Sequence, residues 1–438
     1  MRSAVSRARL ELHDPGARPA LDSCVLNERQ RGKNVSQSSA AFIILARSMN
    51  QALKVNNPEY VPGLDLLRFA AAFAVMLYHL AFWSWAFPAG QVALASKGLA
   101  DFRDWPLVTA VGWIGVQIFF VISGFVIATS AANSSASRFF ISRFTRLVPA
   151  AWVCATITLI AWLLIDVGAP ASHLRAYVKS IAFVPVPAWI DSVYWTLGVE
   201  VAFYALVLSL VAARRFHWLK PVMCAIGLVS SLFWFGYGYA AMDRDSALFA
   251  WFSSVQWSRL AQLTLLHHGV FFAMGVLLWM QLMRESTRGQ TGWLLFFIVG
   301  GCMQIAADSQ LKFEKTGFLM SPLLACAIWL GAMLLLFCMV QNNHRIRSLP
   351  ERALRTLRRL GLVTYPLYLL HNVTGGAVLG ALLGWGIGAS DALLLTISLI
   401  IALSWWVSVA PEPALQKATR TTLTSLANRL GSQPRTTP

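Results

Sequence analysis

Ten stretches of about 20 apolar residues, each long enough to cross a bilayer's hydrocarbon as a helix, leave this chain few folds to choose from. They run roughly over 64–87, 107–130, 147–167, 194–212, 219–242, 262–283, 291–309, 319–341, 362–384 and 390–411. Within them Leu, Val, Ala, Phe and Trp follow one another without the apolar–polar alternation of a transmembrane barrel. The expected fold is an all-α polytopic bundle of about ten transmembrane helices. Only 13% of the 438 residues are charged, well below the share usual in a soluble domain, which excludes a soluble enzyme.

The 36 Lys and Arg outnumber the 19 Asp and Glu, and their placement decides what the +17 charge means. With the amino terminus inside, the expected inner loops carry 14 basic residues and the outer loops 8. Both termini are therefore expected in the cytoplasm, with the chain in the cytoplasmic (inner) membrane. The charge reads as topology, and the expected surroundings are membrane lipid, with no nucleic acid partner. Six cysteines stand singly at 24, 154, 224, 302, 326 and 338, with no CxxC, so neither a disulfide framework nor a metal site is expected. Residues 1–58 lack the apolar core of a signal peptide; they read as a disordered cytoplasmic tail, or as a leader ahead of a true start at Met49. Residues 59–413 form the membrane domain and 414–438 a cytoplasmic tail by the same reading.

A charge inside a span costs at least about 2.5 kcal/mol, so each one is a functional candidate. In the first span Arg68 and His79 are eleven positions apart, which puts them on one helix face about 16 Å from each other along the axis. They would act on different ends of something long. Asp65, three positions before Arg68, could instead simply pair with it. In the fourth span Glu200 lies about 9 Å below the outer surface and His79 about 12 Å below it, so the two could meet, the carboxylate fixing the histidine's tautomer as a general base requires. The alternative is that Glu200 caps a buried hydroxyl or backbone group.

Elsewhere, Ser123-Gly124 at the end of the second span would let a helix or a ligand approach closely. Arg143 and Arg146 share a face at the cytoplasmic surface, where they could fork phosphates or serve only as topological anchors. Tyr365, Tyr368 and Asn372 follow helical spacing in the ninth span, with His371 beside them, and could line an aqueous cavity. His267, His268 and Glu412 rank lower.

In their order these motifs resemble the acyltransferase-3 family of multi-pass membrane acyltransferases, from about residue 60 to 413. The resemblance rests on Gly63, Arg68 and His79; on Phe119, Phe120, Ser123, Gly124 and Phe125; and on Arg143, Arg146 and Pro149. Trp195, Glu200, Phe203 and Tyr204 match the next element, and Tyr365, Tyr368 and His371 the one after. Two departures stand out: one carboxylate, Glu200, stands where many relatives have two, and Glu412-Pro413 lacks the usual spacer. The resemblance implies transfer of an acyl group, most often acetyl from acetyl-CoA, to a hydroxyl of an exported glycan or lipid-linked saccharide. It places His79 as base or transient acyl carrier, Glu200 as its orienter, Arg68 on the thioester donor, and Arg143, Arg146 and Ser123 around the CoA, with Asp65, Tyr365, Tyr368 and His371 lining the cavity. The competing class is a proton-coupled transporter or lipid flippase using the same intramembrane charges as a relay.

Overall fold

The computed structural model describes residues 60–283 and 289–431; the amino-terminal tail and its alternative start at Met49 lie outside them. The described residues are helical throughout, without a strand. In chain order the major helices are α1 (Pro62–Leu77), α2 (Gly115–Ala131), α3 (Ala136–Ile165), α4 (Trp195–Ala212), α5 (Leu219–Ala240) and α6 (Gly269–Met283). There follow α7 (Gln290–Thr316), α8 (Pro322–Gln341), α9 (Glu351–Leu370), α10 (Val373–Gly384), α11 (Ala389–Val409) and α12 (Pro411–Gly431). Among the described residues eight helices are long and apolar enough to span a membrane, α9 and α10 form one bent pair, and α6 is a shorter apolar helix. Each of the ten expected segments falls on one of these.

Three expectations change in detail. The ninth segment is a helix pair bent by 72° at residues 371–372, not one straight span. The sixth is only 15 residues of helix, about 22 Å, because the chain before Gly269 turns through Leu265 in the left-handed region. Residues 414–431 of the expected carboxyl-terminal tail belong to α12, which packs along α3.

The core is organised around α1. One face (Leu64, Leu67, Ala71, Phe82) packs into a cluster with α2 and α4 to α8, while another (Ala72, Val75, Met76, Leu80) packs into a second cluster with α3, α9, α10 and α11. Arg68 lies on this shared helix and His79 on its continuation, while Glu200 lies on α4. The Ser123-Gly124 pair serves the close approach of α6: a Cβ on Gly124 would sit 2.4 Å from the Phe272 carbonyl, and one on Gly275 2.0 Å from that of Val121. Any larger side chain at either glycine would push α2 and α6 apart.

Candidate active site

His79 lies in a π-helical turn, Tyr78–Trp83, that continues α1; such turns are frequent at functional sites. Its ring faces His371, at the junction of α9 and α10, with Nδ1 of His79 3.0 Å from Nε2 of His371. Backbone carbonyls decide where the protons sit. His371 Nδ1 is 3.2 Å from the Leu367 oxygen, which can only accept, so Nδ1 bears the proton and Nε2 keeps its lone pair. His79 Nδ1 donates into that lone pair and also faces the Val75 carbonyl at 3.0 Å. Nε2 of His79 is left with a lone pair, the form a general base requires.

His371 is held in place by a residue from outside the spans. Asp191, fully buried just ahead of α4, accepts from Asn372 Nδ2 at 2.7 Å and from the Val373 N–H at 2.9 Å, and caps its own turn through the Val193 N–H at 3.1 Å. The carboxylate thus satisfies the exposed donors at the start of α10, where the helix dipole favours negative charge, and fixes the break that presents His371. Burial pushes the Asp191 carboxyl up to about 6. The sequence gives only a weak signal for this residue, an Asp shortly before an apolar run.

The expected pairing of Glu200 with His79 is not what the structure shows. Glu200 Oε1 accepts from Ser123 Oγ at 3.2 Å and from the Tyr204 hydroxyl, so it caps buried hydroxyls. The reason lies in helix register. Asp191 meets residues 372 and 373 while Thr196 donates to the Tyr368 hydroxyl at 3.1 Å, so α4 and α9 run antiparallel. Moving four residues on from Thr196 goes one way along the bundle, and three on from Tyr368 goes the other. Glu200 and His371 therefore end up about 10 Å apart along the axis.

Glu200 belongs to a second, highly charged group. Arg143 interacts electrostatically with Glu200, Tyr204, Arg68 and Arg146, and its Nη2 donates to Ser142 at 3.0 Å. Its Nε is buried and donates to none of the described residues. Arg146 is more committed: it pairs with the buried Glu412 at 3.4 Å, reaches the Gly361 carbonyl at 3.5 Å and lies over the Tyr365 ring. Asp65 accepts from Tyr60 and lies in the field of Arg68, Arg358 and Arg146, so it balances several guanidiniums rather than Arg68 alone. Burial and this carboxylate together push the Tyr60 hydroxyl up. Tyr365 donates to the Leu147 carbonyl at 3.2 Å, tying α9 to α3, and Tyr368 lies edge-on to Phe119 beside His371. Four guanidiniums against three carboxylates, with Arg143 Nε and Arg358 Nε donating to none of the described residues, can hold phosphates.

An acyltransferase domain of the acyltransferase-3 family matches residues 61–410, and the chain belongs to that family. It is 36% identical over 109 residues to the peptidoglycan O-acetyltransferase OatA of Listeria monocytogenes, covering 23% of this chain and 14% of that protein. It is 32% identical over 120 residues to the putative peptidoglycan O-acetyltransferase YrhL of Bacillus subtilis, covering 26% and 15%. Nodulation protein 10 of Rhizobium leguminosarum is 28% identical over 193 residues, covering 39% and 49%. The chain thus matches less than half the length of each of these relatives. No solved structure matches it significantly.

Proposed function

We propose that this multi-pass membrane protein is an O-acyltransferase of the inner membrane that moves an acyl group, acetyl in the first instance, from acyl-CoA to a hydroxyl of an exported or lipid-linked glycan. The observation that carries the reading is the His79–His371 pair, in which a backbone carbonyl fixes one ring, that ring fixes the other, and Nε2 of His79 is free to take a proton. His79 removes the acceptor hydroxyl's proton as that oxygen attacks the thioester carbonyl. The new C–O bond forms, the C–S bond breaks, and His79 returns the proton to the sulfur, giving ester and free CoA. Arg68 and Arg143 hold the CoA phosphates at the charged end, and the pantetheine arm extends along α1 toward His79. Arg146 supports them by anchoring α12 through Glu412. The glycan acceptor is supported by the two O-acetyltransferase relatives whose names specify peptidoglycan.

A broken span is also a transporter feature, yet among the described residues only one such pair occurs, with no counterpart in a matching half. The deciding experiment is CoA release from acetyl-CoA by detergent-purified protein, with crude surface glycan as acceptor. Release that disappears in His79→Ala at unchanged protein level supports the transferase. Equal release by wild type and variant removes His79 from the chemistry, and no release with no acetyl-CoA binding points to transport.

A further inference from the structure

Asp191, which fixes the break that presents His371, stands at the end of a segment, residues 184–191, that is neither helix nor strand. Backbone groups in such a segment must find partners elsewhere or stay unpaired. Two side chains from distant parts of the chain supply some of them, and both reach across Asp191.

Arg259 lies in the connection between α5 and α6, at the start of a helical turn, Arg259–Leu263. Its Nε donates to the Pro185 carbonyl at 2.6 Å and its Nη2 to the Trp195 carbonyl at 2.8 Å, while Cζ lies 5.1 Å over the Trp189 ring. Nη1 donates to Gln262 Oε1 at 2.7 Å, which fixes the plane of the fork. All three bonds go to uncharged oxygens, so the guanidinium serves as a rigid fork rather than as half of an ion pair. Gly198 makes room for it: a Cβ there would sit 2.4 Å from Nη2. One side chain thus closes residues 185–195 into a loop. Gln91, from a short helix ahead of α2 (Gln91–Ala95), makes a smaller closure inside it. Its Oε1 accepts from the Ser192 N–H, and its Nε2 approaches the Trp189 carbonyl at 3.5 Å. The outer clamp grips six residues before Asp191 and four after it, the inner one two before and one after.

Neither clamp bonds to His79 or His371, whose partners are each other and backbone carbonyls. Both instead determine where Asp191 stands when it meets Asn372 and the Val373 N–H. Opened at 185 and 195, the segment would regain conformational entropy that favours leaving those contacts. We propose that Arg259, assisted by Gln91, is a positioning residue for the histidine pair: it holds the 185–195 loop closed, so that Asp191 keeps the α9–α10 break and His371 stays aimed at His79. The kinetic half of this rests on the transferase reading and the structural half does not, so each half has its own readout.

Full-length protein in detergent is compared as wild type, Arg259→Gln, Arg259→Lys, Gln91→Leu, Asp191→Asn and the Arg259→Gln/Asp191→Asn double variant. The first readout is hydrogen–deuterium exchange of the amides at 371–376, a segment to which neither clamp bonds. The second is kcat beside the KM for acetyl-CoA. Arg259→Gln is expected to speed exchange at 371–376 about tenfold with α5 unchanged, and to lower kcat about tenfold at a KM within twofold. Arg259→Lys, which keeps a cation over Trp189 but cannot fork, should recover part of both losses. Gln91→Leu should give the same pattern at a smaller size, so the test does not hang on the folding of one variant. In the Asp191→Asn background, Arg259→Gln should lower kcat by no more than about twofold, because the clamp acts through that carboxylate.

Exchange at 371–376 that stays within twofold of wild type in both Arg259→Gln and Gln91→Leu overturns the proposal. So does exchange that rises equally along α5, the mark of a general loosening, and so do kcat losses that add in the double variant. Exchange that responds as expected while wild type releases no CoA keeps the clamp and overturns the transferase. An active wild type whose variants keep both exchange and kcat overturns the clamp alone.

Discussion

Two groups of side chains, about three helical turns apart along α1 and its continuation, are built in opposite ways. At one end His79 and His371 form a neutral pair whose protons are dictated by backbone carbonyls, with a single buried carboxylate, Asp191, used to shape the chain rather than to touch the base. At the other end Arg68, Arg143, Arg146 and Arg358 crowd around Asp65, Glu200 and Glu412, and every carboxylate is occupied with hydroxyls or guanidiniums. The difference teaches how labour is divided. A base works best where nearby charge does not pin its proton, and a phosphate site needs surplus positive charge, so each function requires what would spoil the other.

The strongest way to break the comparison is to remove the base. His79→Ala is expected to lower kcat by about 10³-fold, within the range for a general base, at normal expression and with donor binding intact. Acetyl-CoA affinity that falls with it would mean the two ends are not separate. Next comes His371→Ala, expected to cost about 10²-fold in kcat, with His371→Gln recovering part of it because the amide oxygen can accept the same Nδ1 proton. No recovery by Gln would argue that the ring, not the acceptor, is what matters.

At the charged end Arg143→Ala should raise the KM for acetyl-CoA about tenfold and move kcat by only a few fold. Lower ionic strength should then sharpen the wild-type advantage; an effect on kcat alone would take Arg143 out of donor binding. Asp191→Asn leaves the Val373 N–H facing an amide nitrogen and is expected to cost about 2 kcal/mol of stability, read as a lower thermal midpoint in detergent, together with kcat.

The smallest expected effect is a pH dependence. Burial raises the Asp191 carboxyl from its ordinary 3.8 to about 6, so between these values the folded chain keeps a proton that the unfolded chain has lost. Its contribution is fully present below 3.8 and is lost as pH rises through 6. The wild-type midpoint should therefore fall by roughly 2 °C relative to Asp191→Asn from pH 4 to pH 6. A relative rise would mean that the hydrogen bonds to the carboxylate outweigh its burial.

Much of the architecture was legible in the sequence because long apolar runs have few other uses in water or lipid. The stacking of Arg68 and His79 was legible for a similar reason: eleven residues nearly close three turns wherever the helix continues. Partner choice was not. Depth below the surface matched Glu200 to His79, but antiparallel register at the Thr196–Tyr368 contact carries Glu200 toward Ser123 and brings His371 into its place. The bend at residues 371–372 depends on Asp191, distant in sequence, so the ninth segment read as straight.

Which residue orients His79 decides how the base works. The direct measurement is kcat and the KM for acetyl-CoA, determined in parallel for His371→Ala and Glu200→Gln. The structure predicts that His371→Ala loses about 10²-fold in kcat at a KM within twofold, while Glu200→Gln keeps kcat within a few fold. A Glu200→Gln enzyme that loses kcat at unchanged KM, beside a His371→Ala enzyme that stays fast, would contradict it and return the carboxylate to the base.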